Sequence, residues 1–186
     1  MTRPFTWLLI LSSSLLLVAS CSAPEPPDSP LRPTASIRDV MHVMVEPQAY
    51  VISNSVAEIV DINGTELRVP DTDEEWDVVR SSAIALREAT NLVLMEGRPV
   101  AYPGETSAEP GVELEPEQIQ ALIDGDFAAW TERVHEFYDA VGLVFDAIDA
   151  RDGAALMEAG DEIDAVCEGC HLTYWYPETI ETPEIQ

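Results

Sequence analysis

Trp130-Thr-Glu-Arg-Val134-His-Glu-Phe137-Tyr-Asp-Ala-Val141-Gly-Leu-Val144-Phe-Asp-Ala-Ile148 is the stretch on which the fold turns. Its apolar residues at 130, 134, 137, 141, 144 and 148 recur at steps of four and three, the repeat of one helical face turned toward a core. The spacing predicts a helix from Pro116, a natural first-turn proline, to about Ala150, with a weak point at Asp124-Gly125-Asp126. Downstream, Asp152-Gly153 turns the chain. A further helix then carries Leu156, Ile163, Val166, Cys167 and Cys170 and ends before Pro177.

Upstream, Thr72-Asp-Glu-Glu75 reads as a capping box with acids in the first turn. It opens a helix whose inner stripe is Trp76, Val79, Ala83, Leu86, Thr90 and Val93, stopped by Gly97 and Pro99. The Gly- and Pro-rich stretch 97–114 is the longest loop. The first helix begins near Thr34 or Ser36, with an expected stripe of Ile37, Met41, Met44, Gln48, Val51, Ser55 and Ile59. Pro47 lies inside it and removes a backbone donor, so a kink or a restart is expected there. Between Asp61 and Pro70, Asn63-Gly64 sits between short apolar runs, a signal for a small two-strand hairpin. Amphipathic helices with mostly short connections predict an all-α fold, an antiparallel four-helix bundle. There is no internal repeat.

The N-terminus reads as a secretory leader: Arg3, an apolar run from Trp7 to Ala19, and small residues before Cys21. Ending on a cysteine, it resembles a bacterial lipoprotein signal, which implies that Cys21 becomes the lipidated N-terminus of the mature chain. Residues 22–33 hold five prolines and read as a stiff, extended spacer. The organisation expected is therefore a signal peptide over 1–20, a lipidated Cys and Pro-rich linker over 21–33, and one helical domain over 34–186. That places the domain in the periplasm, anchored to a bacterial membrane.

Charge narrows the partners. The 186 residues carry 35 acidic groups against 9 basic ones, all of them Arg, for a net charge of −26. Such a surface excludes a nucleic-acid partner held through its phosphates. It disfavours docking of the protein surface on anionic lipid, and it suits a partner with a basic face. No Gly-rich phosphate loop or Ser-His-Asp arrangement suggests an enzyme.

The chemistry lies in Cys167-Glu168-Gly169-Cys170-His171. C-x-x-C-H is the attachment signature of a c-type haem. Two thiols three residues apart share one helical face and reach the two vinyl groups on one edge of a porphyrin. The following imidazole then projects toward the iron as an axial ligand. Gly169 leaves the backbone bare where a macrocycle would lie. A thioredoxin-like pair wants a surrounding βαβ pattern, which is absent. A zinc site wants four ligands, and His42 and His135 stand apart in sequence. A simple disulfide would not need His171. With Cys21 on lipid and Cys167 and Cys170 on one haem c, no cysteine remains for a structural disulfide.

Placed late on the fourth helix, with Tyr174 three residues after the histidine, the motif resembles that of the class II c-type cytochromes, the cytochrome c prime-like bundles. The resemblance covers roughly residues 34–177. It departs where family members often have Arg or Lys after the aromatic, since this chain has Trp175-Tyr176-Pro177. It implies a distal position on the first helix, for which Met41 is the first candidate, then Met44 and His42. Methionine is also a common core filler. It further implies an arginine near a haem propionate, here Arg38, and pairing of two copies as a homodimer. Trp76 and Trp130 are read as core residues that could also touch the porphyrin. A methionine ligand implies an electron-transfer protein with no catalytic site. An open iron in an apolar pocket of Val40, Met41 and Met44 implies binding of NO or CO. A third role is structural, with the haem serving assembly.

Overall fold

The computed structural model describes residues 31–62 and 64–177. The leader 1–20, Cys21 and most of the Pro-rich linker lie outside the described residues, as do Asn63 and the tail 178–186. Residues 31–33, the end of the linker, are exposed and carry no regular structure.

Ser36 starts the helical chain. Its hydroxyl accepts from the Asp39 N–H at 3.1 Å and the Asp39 carboxylate accepts from the Ser36 N–H at 2.9 Å, a reciprocal cap. Helix α1 (Ile37–Val40) runs directly into a π-helical turn (Met41–Val45), and α2 (Glu46–Ser55) follows. The Glu46 N–H bonds back to the Met41 carbonyl, five residues earlier. Pro47 explains the placement: its ring crowds the carbonyl four residues back, that of Val43. A wider turn just before the proline absorbs that clash, and α2 restarts with Pro47 in its first turn.

The extra residue in the wide turn rotates everything after it. Of the expected stripe only Ile37 is buried; the other buried apolar positions are Val40, Val45, Ile52 and Val56. Ile59 has left the helix altogether and lies exposed in a strand. That strand, β1 (Ala57–Asp61), pairs antiparallel with β2 (Gly64–Arg68), with Asp61 opposite Gly64 at the turn. The hairpin therefore starts four residues earlier than the Asn63-Gly64 signal alone indicates.

Helix α3 (Asp73–Val93) opens on the expected capping box: the Glu75 N–H donates to Thr72 Oγ1 at 3.2 Å, and Glu75 Oε2 accepts from the Thr72 N–H at 3.0 Å. Its six stripe residues are all buried. The long predicted helix divides at its weak point into α4 (Pro116–Gly125) and α5 (Phe127–Ala150). Asp126 stops the first, and its carboxylate accepts from Ala129 N–H at 3.0 Å to cap the second. Arg151, left-handed at φ 54°, ends α5, and Asp152 caps α6 (Gly153–Tyr174) by accepting from Ala154 and Ala155.

The fold is mostly helical, with the one small hairpin. Helix α5 packs along α6 and α3, α3 packs on α2, and α2 also touches α6. The core between them holds Leu86, Trp130, Val141, Val144 and Leu156, each inaccessible to solvent. Among the described residues, no helix is long and apolar enough to cross a membrane.

Arg98 fastens α1 in place. It is buried beyond the end of α3, donating from Nε to the Leu92 carbonyl at 2.6 Å and from Nη1 to the Ala35 carbonyl. The Ile37 and Arg38 N–H groups then donate to the Pro99 and Val100 carbonyls at 2.8 and 3.1 Å. These bonds set where Arg38 and Met41 stand.

Candidate functional site

A cavity of about 460 Å³ opens between the first helical stretch, α3, α5 and the end of α6. Arg38 contributes from α1, Met41, His42 and Val45 from the π turn, and Glu46 and Ala49 from α2. Ala89, Thr90 and Val93 line it from α3, and Trp130, Arg133, Val134 and Phe137 from α5. Helix α6 and its end supply Val166, Cys167, Cys170, His171, Trp175 and Tyr176. Five sequence-predicted residues, Arg38, Met41, Cys167, Cys170 and His171, thus share one wall system although more than a hundred positions separate the first pair from the rest.

The thiols of Cys167 and Cys170 are free and half-buried. Burial pushes Cys167 up to about 11, with Asp164 adding to the rise. Burial also pushes Cys170 up to about 12, with Cys167 and Glu136 raising it further and Arg133 opposing. Both are neutral thiols at physiological pH, since a buried thiolate is penalised in an apolar wall.

His171 sits at the mouth, exposed to solvent. Its ring centroid is 6.0 Å from those of both Trp175 and Tyr176. Burial lowers its pKa, against the pull of Glu168 and Glu113, so the imidazole favours the neutral form that can donate a lone pair. The Tyr176 hydroxyl donates to Glu168 at 2.8 Å, and the Leu114 N–H donates to the Trp175 carbonyl at 2.7 Å. The latter bond ties the long loop to the end of α6.

The remaining candidates separate. Met41 is half-buried on the wall. Met44 packs against the core and Val40 is buried within it, and neither lines the cavity. The pocket expected from all three is therefore built from Met41 alone of the set, because Val40 turns into the core with Ile37 and the π turn carries Met44 off that face. His42 lies at the rim, paired with Glu46 at 3.1 Å. His135 is exposed on α5. Tyr174 is buried edge-on against Trp130, centroids 5.1 Å apart at 90°. Trp76 packs in the core beneath Arg151, away from the cavity. Arg38 donates from Nη2 to the Thr106 carbonyl at 2.9 Å.

Trp130, read from the sequence as a core residue that could also touch a porphyrin, stands on the wall, and so does Arg133, which sequence reasoning passed over. Trp130, a core position by its spacing, has a fully buried indole N–H with no hydrogen-bond partner among the described residues. Arg133, one turn further along α5, donates from Nη1 to Glu136 at 2.8 Å. The same nitrogen lies 3.8 Å from where a Cβ on Gly169 would stand, so the bare backbone at Gly169 has an arginine beside it. Among the described residues, no three His, Cys, Asp or Glu side chains converge as a metal site. Comparison of the chain with protein-family models, with curated proteins and with solved structures found no match.

Proposed function

We propose that the chain is a lipid-anchored, periplasmic c-type cytochrome on an antiparallel four-helix bundle, similar to the class II cytochromes, that carries one haem and transfers electrons. The observation that carries the reading is the shared cavity: Cys167, Cys170 and His171 on one side, Met41 and Arg38 on the other. Three features support the fit. The volume of about 460 Å³ lies within the range of roughly 300–1,000 Å³ typical of cofactor pockets. An ion held by side chains alone needs three or four ligands, whereas iron already held by a porphyrin needs one or two, which is what His171 and Met41 offer. The partnerless Trp130 N–H is a buried donor on the same wall, a group that structures rarely leave unsatisfied.

Cys167 and Cys170 would hold the group as thioethers, each S–H adding across one vinyl double bond, so that S–C and C–H bonds form with no net oxidation. When bound, a haem supplies a one-electron ferric–ferrous couple. His171, through its imidazole lone pair, and Met41, through its thioether, are the residues that would hold the iron. The apolar walls of Val45, Val93, Val134 and Phe137 exclude water. Cys21 would anchor the mature chain, and its acidic surface would receive a partner with a basic face.

Visible absorption of the purified, haem-loaded chain tests this, ferric and ferrous, with and without carbon monoxide. Low-spin bands that ignore carbon monoxide support the electron carrier. A high-spin ferrous spectrum that shifts with the gas moves the function to binding of NO or CO. Absence of any haem spectrum defeats both.

A further inference from the structure

Two arginines stand on the cavity wall, and they are placed differently. Arg38 is drawn toward the long loop, bonded to the Thr106 carbonyl and 3.9 Å from Glu105. Arg133 reaches the other way, onto α6. Its Nη1 lies close to Gly169, the residue between Glu168 and Cys170, while the same nitrogen holds the Glu136 carboxylate. The other charges nearby are acidic: Glu113 on the wall, and Glu168 beside Tyr176 next to His171. In a chain of net charge −26, a cation pressed against the C-x-x-C segment is the exception.

We propose that Arg133 sets the reduction potential of the site, its guanidinium favouring the extra electron of the reduced iron, and that Glu136 acts in the opposite sense. The proposal rests on the haem reading above. The physics is Coulombic: a positive charge a few ångströms from the motif stabilises the state with one more electron, and a carboxylate at similar range destabilises it. Both side chains are about half exposed, 41% and 50%, so solvent and salt weaken each effect without changing its sign. Arg133 is thus a positioning charge rather than a ligand.

The test is an equilibrium redox titration of the full haem-loaded chain, with small-molecule one-electron titrants, for the parent chain and for R133Q, R133K and E136Q. The expected midpoint potential of R133Q is more negative than the parent's, that of R133K close to the parent's, and that of E136Q more positive. A structural role alone would move R133Q and R133K together, or move R133Q and E136Q in the same direction, and either pattern overturns the proposal. So does an R133Q potential equal to the parent's. Should R133Q fail to load, E136Q decides: a positive shift supports the proposal and an unchanged potential overturns it. A parent chain that takes up no covalent haem defeats the underlying reading as well, and that outcome is visible before any titration.

Discussion

Met41 is where the two functional readings divide. It is half-buried on the cavity wall, and its thioether would raise the potential and close the sixth position. Met41→Ala is expected to convert a low-spin, carbon monoxide-insensitive spectrum into a high-spin one that responds to the gas. A low-spin spectrum unchanged in M41A would remove Met41 as a ligand. Met44→Ala, off the wall, is expected to leave the spectrum alone. Cys167, Cys170, His171 and Met41 were legible as candidates because each type is chemically distinctive and spaced for one task. Arg133 was not: a charged residue beside an apolar helical stripe reads as solvated, and only the packing of α5 on α6 brings its guanidinium to Gly169. Met44 was misread for a related reason, since its orientation depends on a register that the π turn alters.

The helices themselves show which local signals carry through. Stripes did so in α3, α5 and α6, and the Thr72 cap in α3, whereas Asp126 and Asp152, read as a weak point and a turn, prove to satisfy the backbone donors that a helix start leaves open. The first helical stretch failed because Pro47 acts on the backbone up to four residues before it, and no hydropathy pattern encodes a π turn. Gly153 illustrates a contact that sequence cannot reveal. A Cβ there would meet Val69 Cγ1 at 2.0 Å, so Gly153→Ala is expected to destabilise the chain by about 1–3 kcal/mol, the range for overpacking. Chemical denaturation would show it, and the double variant G153A/V69A should recover much of the loss. Glu75 offers a second check. Hydrogen bonds from the Asp71 and Thr72 backbone N–H groups hold its pKa below the ordinary value. A depressed folded pKa contributes stability that is fully present above about pH 4.5 and is lost as pH falls through the folded value. Glu75→Gln should therefore flatten that acid limb of thermal stability, and an unchanged limb would show that the cap contributes nothing there.

For the whole molecule, 35 acids against 9 arginines make association the property most exposed to salt. Electron exchange with a cationic protein partner is expected to slow by about tenfold or more between roughly 0.01 M and 0.15 M salt, as the Debye length falls from about 30 to about 8 Å. A rate indifferent to salt would mean that the acidic surface serves solubility only. The helical class was readable from period and breaks alone. The cavity was not, because it arises where a turn forced by Pro47, a brace at Arg98 and the end of α6 meet, and none of these is a sequence neighbour of another. Its meaning rests on covalent attachment of haem, and the most direct measurement is the intact mass of the mature chain after expression with a haem-attachment system, taken under denaturing conditions. The expected result is the added mass of one haem, retained through denaturation and lost in the Cys167→Ser/Cys170→Ser double variant. A chain at its unmodified polypeptide mass, or a haem that leaves on denaturation, would contradict it.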